Sequence, residues 1–173
     1  MNTTVEVLGF AREPAWLPWA VTYFFLIGMS TSAFFLSLPG LVWRHPDWRS
    51  VSRRALLVAL VCGMAGPVAL LADLHQPGRF LNFYLHPNLG SWMAWGAFFI
   101  PVYMFGLFLY AWLCLRPQLA ALGKSGGEFS GLYRVLACGG HDDTGAIKAA
   151  ALVGSMGAAL ILLYTGMEVM VVQ

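Results

Sequence analysis

The 173-residue chain is 59% hydrophobic and only 10% charged, with ten Lys and Arg against eight Asp and Glu. A soluble domain usually carries about 25% charged residues. The composition therefore argues against a cytosolic enzyme and against a nucleic-acid-binding protein.

The charged residues are distributed unevenly along the chain. Asp, Glu, Lys and Arg are absent from residues 14–43, 55–72, 80–115 and 149–167. A transmembrane helix needs roughly 17–25 apolar residues, so each run can hold one crossing. The third run is longer than one crossing needs, but a Pro-Asn-Leu-Gly sequence at 87–90 breaks it and leaves a connecting loop before the helix.

These runs predict an all-α integral membrane protein, built as a four-transmembrane-helix bundle and forming a single membrane domain over 1–173. The helices are expected at about 19–43, 55–72, 92–115 and 149–172. The segment before the first helix contains Glu6 and Glu13 and lacks the basic start of a signal peptide. The first helix is therefore expected to stay in the mature protein.

The positions of Lys and Arg predict the orientation, because cytoplasmic loops hold the excess of these residues. The first and third loops together contain eight: Arg44, Arg49, Arg53, Arg54, Arg116, Lys124, Arg134 and Lys148. The N-terminal segment and the second loop contain two, Arg12 and Arg79. The N-terminus, the 73–91 loop and the C-terminus are therefore predicted to be periplasmic, in a multi-pass protein of the bacterial inner membrane.

Residues inside the predicted helices indicate how the bundle packs. Small residues four positions apart, such as Gly28 and Ser32 or Ala150 and Gly154, predict close helix contacts. Pro39, like two further prolines in the predicted helices, should free backbone groups that must find partners inside the bundle.

The sequence predicts no metal centre in this chain. Haem in a helical bundle needs inward-facing axial ligands, whereas all four histidines lie in predicted loops or at helix ends: His45, His75, His86 and His141. The three cysteines form no C-x-x-C pair: Cys62, Cys114 and Cys138. Haem and iron–sulfur clusters are therefore both expected to be absent.

Polar and aromatic residues concentrate at one predicted membrane face, in segments 72–80, 86–88 and 91–96 and in the Tyr-Thr-Gly at 164–166. With these motifs the chain resembles the NrfD/polysulfide reductase membrane-subunit family, and it is similar to that family's N-terminal four-helix half. His75-Gln76 stands where many members have Gly-Arg, a variant that resembles subunits of the tetrathionate reductase type.

The resemblance implies a haem-free, quinone-reactive subunit that uses menaquinone or ubiquinone. Its implied partners are the lipid bilayer, an iron–sulfur subunit with ferredoxin-like clusters and a molybdopterin-containing catalytic subunit. Electrons would pass between the quinone pool and the iron–sulfur subunit. The given sequence stops without a polar tail. Further helices are therefore expected to follow it in a complete family member.

The resemblance also implies the headgroup contacts of the quinone, Tyr164 and, less directly, Tyr23. Glu168 lies four residues after Tyr164 on the same helical face and could accept quinol protons. The alternatives are that Tyr164 is an interfacial anchor and that Glu168 reaches headgroup water.

Four loop-side residues complete the candidate site. His75 could pass protons outward or be a solvated docking residue. Asp73 and Arg79 could pair and shape the loop around the site, or form a structural salt bridge only. Trp92 could form a wall of the quinone pocket or anchor the helix at the interface.

Two other function classes stay open. A passive membrane anchor for a redox partner would bind no quinone. Half of a secondary transporter would carry broken helices with polar groups near the bilayer midplane, whereas the ionisable groups here lie at the helix ends.

Overall fold

The computed structural model describes residues 18–73, 77–88, 90, 92–127, 129–138 and 143–171, which are mostly helical. The helices are α1 Pro18–Leu41, α2 Arg49–Asp73, α3 Asn82–Leu85, α4 Trp92–Lys124, α5 Ser130–Ala137 and α6 Thr144–Val171. Short 3₁₀ turns at Pro46–Trp48 and Pro77–Leu81 precede α2 and α3. Within these residues, α1, α2, α4 and α6 are long and apolar enough to cross a membrane. The predicted all-α, four-crossing class is confirmed.

The helix ends differ from the ends of the charge-free runs. α2 begins at Arg49 instead of residue 55, and α4 continues to Lys124, for a length of 33 residues. At 1.5 Å per residue α4 is about 50 Å long, well beyond the roughly 30 Å hydrocarbon core. Charged side chains at such helix ends reach headgroup water while the backbone stays helical. The charge-free runs therefore do not mark the helix ends.

The four long helices form two antiparallel pairs. α1 packs along α2 and α4 packs along α6, and contacts of α1 with α6 and of α2 with α4 join the pairs. One end of the bundle holds the first residues of α1 and α4 and the last residues of α2 and α6. We call it the N-terminal end of the bundle. The other end is called the opposite end.

Small residues allow close approach between α4 and α6. A Cβ on Gly106 would lie 2.6 Å from the Cα of Gly154, so the two backbones touch. Ala150, one turn before Gly154, is also buried, as the four-residue spacing predicts. Gly28 differs, because a Cβ there would meet no neighbouring atom within 4 Å. The expected packing role of Gly28 is therefore wrong.

Hydroxyl groups in the bundle interior pair across helices. Ser30 Oγ donates to the carbonyl of Ala59 at 2.7 Å and lies 2.8 Å from the hydroxyl of Tyr103. Two turns further along, the hydroxyls of Ser37 and Tyr110 lie 3.2 Å apart. Because an unpaired polar group in the membrane costs several kcal/mol, these pairs connect α1 to α2 and α4 without a desolvation penalty.

Ser52 satisfies backbone groups freed next to Pro39. Its Oγ accepts from the amide of Gly40 at 3.0 Å and donates to the carbonyl of Leu36 at 3.2 Å. In an uninterrupted helix that amide and that carbonyl would bond to each other. The expectation that the bundle supplies partners for groups freed near Pro39 is confirmed.

The connection between α4 and α6 is anchored at the opposite end. α5 is a short helix within this loop, and it packs against α4. The buried guanidinium of Arg116 donates to the carbonyls of Ala137 and Cys138 at 3.1 and 2.9 Å. It also forms a 2.7 Å ion pair with Asp143. No sequence pattern predicts this anchoring, because backbone carbonyl acceptors leave no mark in a sequence.

Candidate functional site at the N-terminal end of the bundle

A buried polar cluster lies where α1 and α6 meet. It consists of Tyr23 on α1 and of Tyr164 and Glu168 on α6, with exposed fractions of 1%, 5% and 9%. The three side chains interact electrostatically with one another. A carboxyl and two phenols are thus held together inside an otherwise apolar bundle.

Tyr164 and Glu168 are joined by a side-chain hydrogen bond. They are four residues apart, so both project from the same face of α6. The phenol donates to the carboxylate when Glu168 is ionised. Neighbouring Thr165 bonds to the carbonyl of Ile161 at 2.7 Å, so its hydroxyl is used within α6. Of the Tyr-Thr-Gly motif, it is Tyr164 that is buried in the bundle.

Tyr23 differs from Tyr164, because its buried hydroxyl has no hydrogen-bond partner among the described residues. Its ring packs close to α2, where a Cβ on Gly66 would lie 3.7 Å from Cδ2 of Tyr23. A buried hydroxyl without a partner costs about 1–3 kcal/mol. Such a group is a rare feature in a folded protein and indicates a donor available to a ligand.

Aromatic rings extend from this cluster to the bundle surface. Phe99 lies edge-on to Tyr164 with ring centroids 6.5 Å apart, and Trp95 lies 5.9 Å from Phe99. Trp95 is 38% exposed. These rings, one turn apart on α4, form an apolar wall that begins at the surface and ends at Tyr164.

An apolar groove runs between α1 and α2 near the same end. It has a volume of about 610 Å³ and an almost entirely apolar lining. The lining residues are Trp19, Thr22, Leu26, Val61, Met64, Ala65, Val68, Ala69 and Ala72. Thr22 precedes Tyr23 directly, so the groove lies at the same level of α1 as the cluster but on a different face of that helix.

Gly96 sets the position of the Tyr164 ring. A Cβ on Gly96 would lie 2.5 Å from Cζ and 2.6 Å from the hydroxyl oxygen of Tyr164. The ring therefore lies directly over the backbone of α4, in space that only glycine leaves open. No local pattern indicates this contact, because it joins residues far apart in the chain.

We expect Gly96→Ala to destabilise the protein by about 1–3 kcal/mol, the usual cost of overpacking. The added methyl would overlap the Tyr164 ring and force it away from α4. Thermal unfolding in detergent measures the effect. Gly166→Ala is the matched control, because a Cβ at Gly166 meets no neighbouring atom within 4 Å. Equal melting temperatures for the two variants would contradict the assigned contact.

Three of the predicted site residues come together in the structure, namely Tyr23, Tyr164 and Glu168. His75 lies outside the described residues. So do the side chains of Asp73, Arg79 and Trp92. Their roles stay predictions. Gly96, Trp95 and Phe99 complete the surroundings of Tyr164; the four-residue spacing of Trp95 and Phe99 was the available signal for a shared helix face.

Within the described ranges, no three His, Cys, Asp and Glu side chains are grouped so that they could hold a metal ion. His45 and His86 are exposed and lie at different ends of the bundle. The absence of haem and of iron–sulfur clusters from this chain stays a prediction.

Comparison with known proteins connects the cluster to a family. Residues 7–173 match the family described as Polysulphide reductase, NrfD. A tetrathionate reductase subunit of Salmonella typhimurium is 40% identical over 167 residues, which cover 96% of this chain and 43% of that protein. A selenate reductase subunit of Mesobacillus selenatarsenatis is 29% identical over 125 residues, covering 72% of this chain and 29% of that protein.

The chain thus spans less than half the length of these two curated relatives. The predicted resemblance, including its similarity to tetrathionate reductase subunits, is confirmed. No solved structure shows significant similarity to the chain.

Proposed function

Because the chain belongs to the family Polysulphide reductase, NrfD, we propose that it is a quinone-binding membrane subunit of a bacterial respiratory oxidoreductase. In this proposal it lies in the inner membrane and passes electrons between the quinone pool and an iron–sulfur subunit. That subunit serves a molybdopterin-containing catalytic subunit. Two relatives are named as subunits of reductases, which supports a place in an assembly of several chains.

The observation that carries the proposal is the buried hydroxyl of Tyr23, which has no partner among the described residues. A quinone headgroup has two carbonyl oxygens that need donors in a site shielded from water. Tyr23 offers such a donor at no cost to an existing hydrogen bond. The residues present therefore fit a quinone headgroup.

Tyr164 and Glu168 form the second part of the proposed site. The phenol oxygen of Tyr164 can accept a proton from a headgroup hydroxyl while its own hydrogen moves to Glu168, to which it is hydrogen-bonded. Quinol supplies two electrons and two protons when it is oxidised. The chain's own contribution is to hold the headgroup between two phenols and to receive one of the two protons at Glu168, while His75 on the loop side is proposed to receive the other.

The surroundings of the cluster suit the rest of a quinone molecule. The apolar groove between α1 and α2 could take part of an isoprenoid tail, since burial of apolar surface stabilises such a chain. The rings of Trp95 and Phe99 would exclude water from the headgroup side. Asp73, His75, Arg79 and Trp92 are proposed to complete the site from the loop side.

The two alternatives account for less of the structure. A passive anchor has no use for a buried phenol that lies beside a carboxyl and has no hydrogen-bond partner in the part of the chain that the structure describes. A transporter half would need free polar groups near the midplane, but Ser30, Tyr103, Ser37 and Tyr110 there are already paired with one another.

We expect Tyr23→Phe to weaken quinol binding about three- to tenfold, since one hydrogen bond is worth about 0.5–1.5 kcal/mol. The same change should not lower thermal stability without quinone, because the hydroxyl has no protein partner to lose among the described residues. The measurements are the KM for a quinol analogue in the assembled complex and the melting temperature of the quinone-free protein.

Tyr103→Phe is the matched control, because its hydroxyl pairs with Ser30 deep in the bundle. It should lower stability and leave the KM for quinol unchanged. Electron transfer from an artificial donor to the catalytic subunit should be normal in both variants. A Tyr23→Phe complex with wild-type quinol kinetics would remove the main support for the proposal.

A further inference from the structure

A second concave site lies at the opposite end of the bundle and is independent of the proposed quinone chemistry. It is a half-open pocket of about 560 Å³ between the end of α1, the start of α2, α4 and the start of α6. Three arginines line it: Arg44, Arg49 and Arg53. Leu41, Pro117 and Ile147 form its apolar part. Cationic and apolar surfaces thus meet in one cavity.

The three arginines form no ion pair within the described part of the chain, to which all three belong. Asp47, in the turn between α1 and α2, pairs with none of them. Arg44 adopts a left-handed backbone conformation, with φ of 56°, and its guanidinium donates to the hydroxyl of Thr144 at 2.5 Å. This bond fixes Arg44 across the gap between α1 and α6. The pocket therefore concentrates positive charge without a counter-ion among the described residues.

Helix geometry adds to the positive potential. α2 begins at Arg49 and α6 begins at Thr144, so two helix N-termini flank the pocket. α1 ends there, but two of its last four carbonyls are already used: those of Leu38 and Pro39 accept from residues 42, 43 and 45. The charge balance at the pocket consequently favours an anion.

The depth of the pocket identifies the kind of anion. Arg44 follows the charge-free run that ends at residue 43, and Arg53 comes just before the run that begins at 55. Trp43 and Trp48 beside them are exposed, as is usual for residues at headgroup depth. An anion at this level with an apolar surface next to it corresponds to the phosphate of a lipid whose acyl chains continue along the helices.

We propose that this arginine pocket binds the phosphate of an anionic phospholipid. The distribution of Lys and Arg predicts that this end faces the cytoplasmic leaflet, where anionic headgroups attract clustered basic residues. Leu41 and Ile147 would contact the upper part of the acyl chains. A zwitterionic lipid carries no net charge and would bind much more weakly.

The test titrates the purified, delipidated protein in a neutral detergent with phosphatidylglycerol and follows its melting temperature. We expect a saturable rise that phosphatidylcholine does not reproduce. Replacing the three arginines together with glutamine should weaken the apparent affinity about a hundredfold, at about fivefold per arginine. The matched control replaces Arg54, Arg134 and Lys148, which are exposed at the same end but do not line the pocket.

Three results would overturn the proposal. The first is an equal stabilisation by phosphatidylcholine, and the second is an equal loss of affinity in the control variant. The third is the same stabilisation by inorganic phosphate, which would indicate a site for free anions. If the triple variant does not fold, native mass spectrometry of the wild-type protein decides: it should retain one phosphatidylglycerol in preference to phosphatidylcholine, and equal retention would contradict the assignment.

Discussion

Glu168→Gln is expected to slow quinol turnover by about 10²–10⁴-fold, the range typical for loss of a positioned proton acceptor. The amide keeps the size of the side chain and can still accept a hydrogen bond from Tyr164, but it cannot take up a proton. Quinol affinity should change little, because the proposed headgroup donor on Tyr23 is untouched. The assay is steady-state oxidation of a quinol analogue by the assembled complex, with kcat and KM determined separately over a range of pH.

Two controls make this result specific. Asp47→Asn removes a carboxylate that is exposed at the opposite end of the bundle, and it should leave kcat unchanged. Tyr164→Phe keeps the ring but removes the link between headgroup and carboxyl, so it should lower kcat as well as affinity. If Glu168→Gln turns over at the wild-type rate, the proton leaves by another route, for which His75 is the next candidate.

Arg116→Ala should destabilise the protein by about 3–5 kcal/mol, the usual cost of removing one partner of a buried ion pair. The side chains of Arg116 and Asp143 are 9% and 15% exposed, so Asp143 would keep a poorly solvated charge. The guanidinium also lies 5.0 Å over the ring of Trp112, and this contact is lost as well. Limited trypsin digestion at Arg134 should become faster, because α5 would lose the hydrogen bonds from Arg116 to the carbonyls of Ala137 and Cys138 and keep the one from Trp112 to the carbonyl of Leu136.

A double replacement separates the ion pair from a general packing defect. Arg116→Ala combined with Asp143→Ala removes both charges, so it should cost less than the sum of the two single changes, by about 0.5–3 kcal/mol. Fully additive effects would show that the ion pair itself contributes nothing. Unchanged resistance to trypsin in Arg116→Ala would show that the loop is held elsewhere.

The number of membrane crossings was predictable because a charge in the hydrocarbon core is costly wherever it occurs, so a one-dimensional pattern suffices. The helix ends were not predictable in this way. Arg53 and Lys124 lie outside the charge-free runs and are nonetheless helical, since headgroup water solvates charged side chains on a continuing helix.

The candidate site was also predictable only in part. The pairing of Tyr164 and Glu168 followed from their spacing on one helix. The approach of Tyr23 required the resemblance, because no local pattern places α1 next to the end of α6. Gly96 and the arginine pocket depend on contacts between distant segments. For these two features, the sequence shows which residue types are present but not which of them lie close together.

The paired hydroxyls of the interior restrict how the bundle can move. Ser30 with Tyr103 and Ser37 with Tyr110 both join residues 73 positions apart, so these side chains hold α1 and α4 in one constant register across the bundle interior. A slip of one helical turn, about 5.4 Å, would separate both pairs at once and leave the hydroxyls of Tyr103 and Tyr110 without these partners in the bundle interior. The two hydrogen-bonded pairs therefore oppose sliding of α1 along α4. A piston-like displacement of α1 against α4 is therefore unfavourable, and charge or side-chain rearrangement is the easier route for coupling between the two ends of these helices.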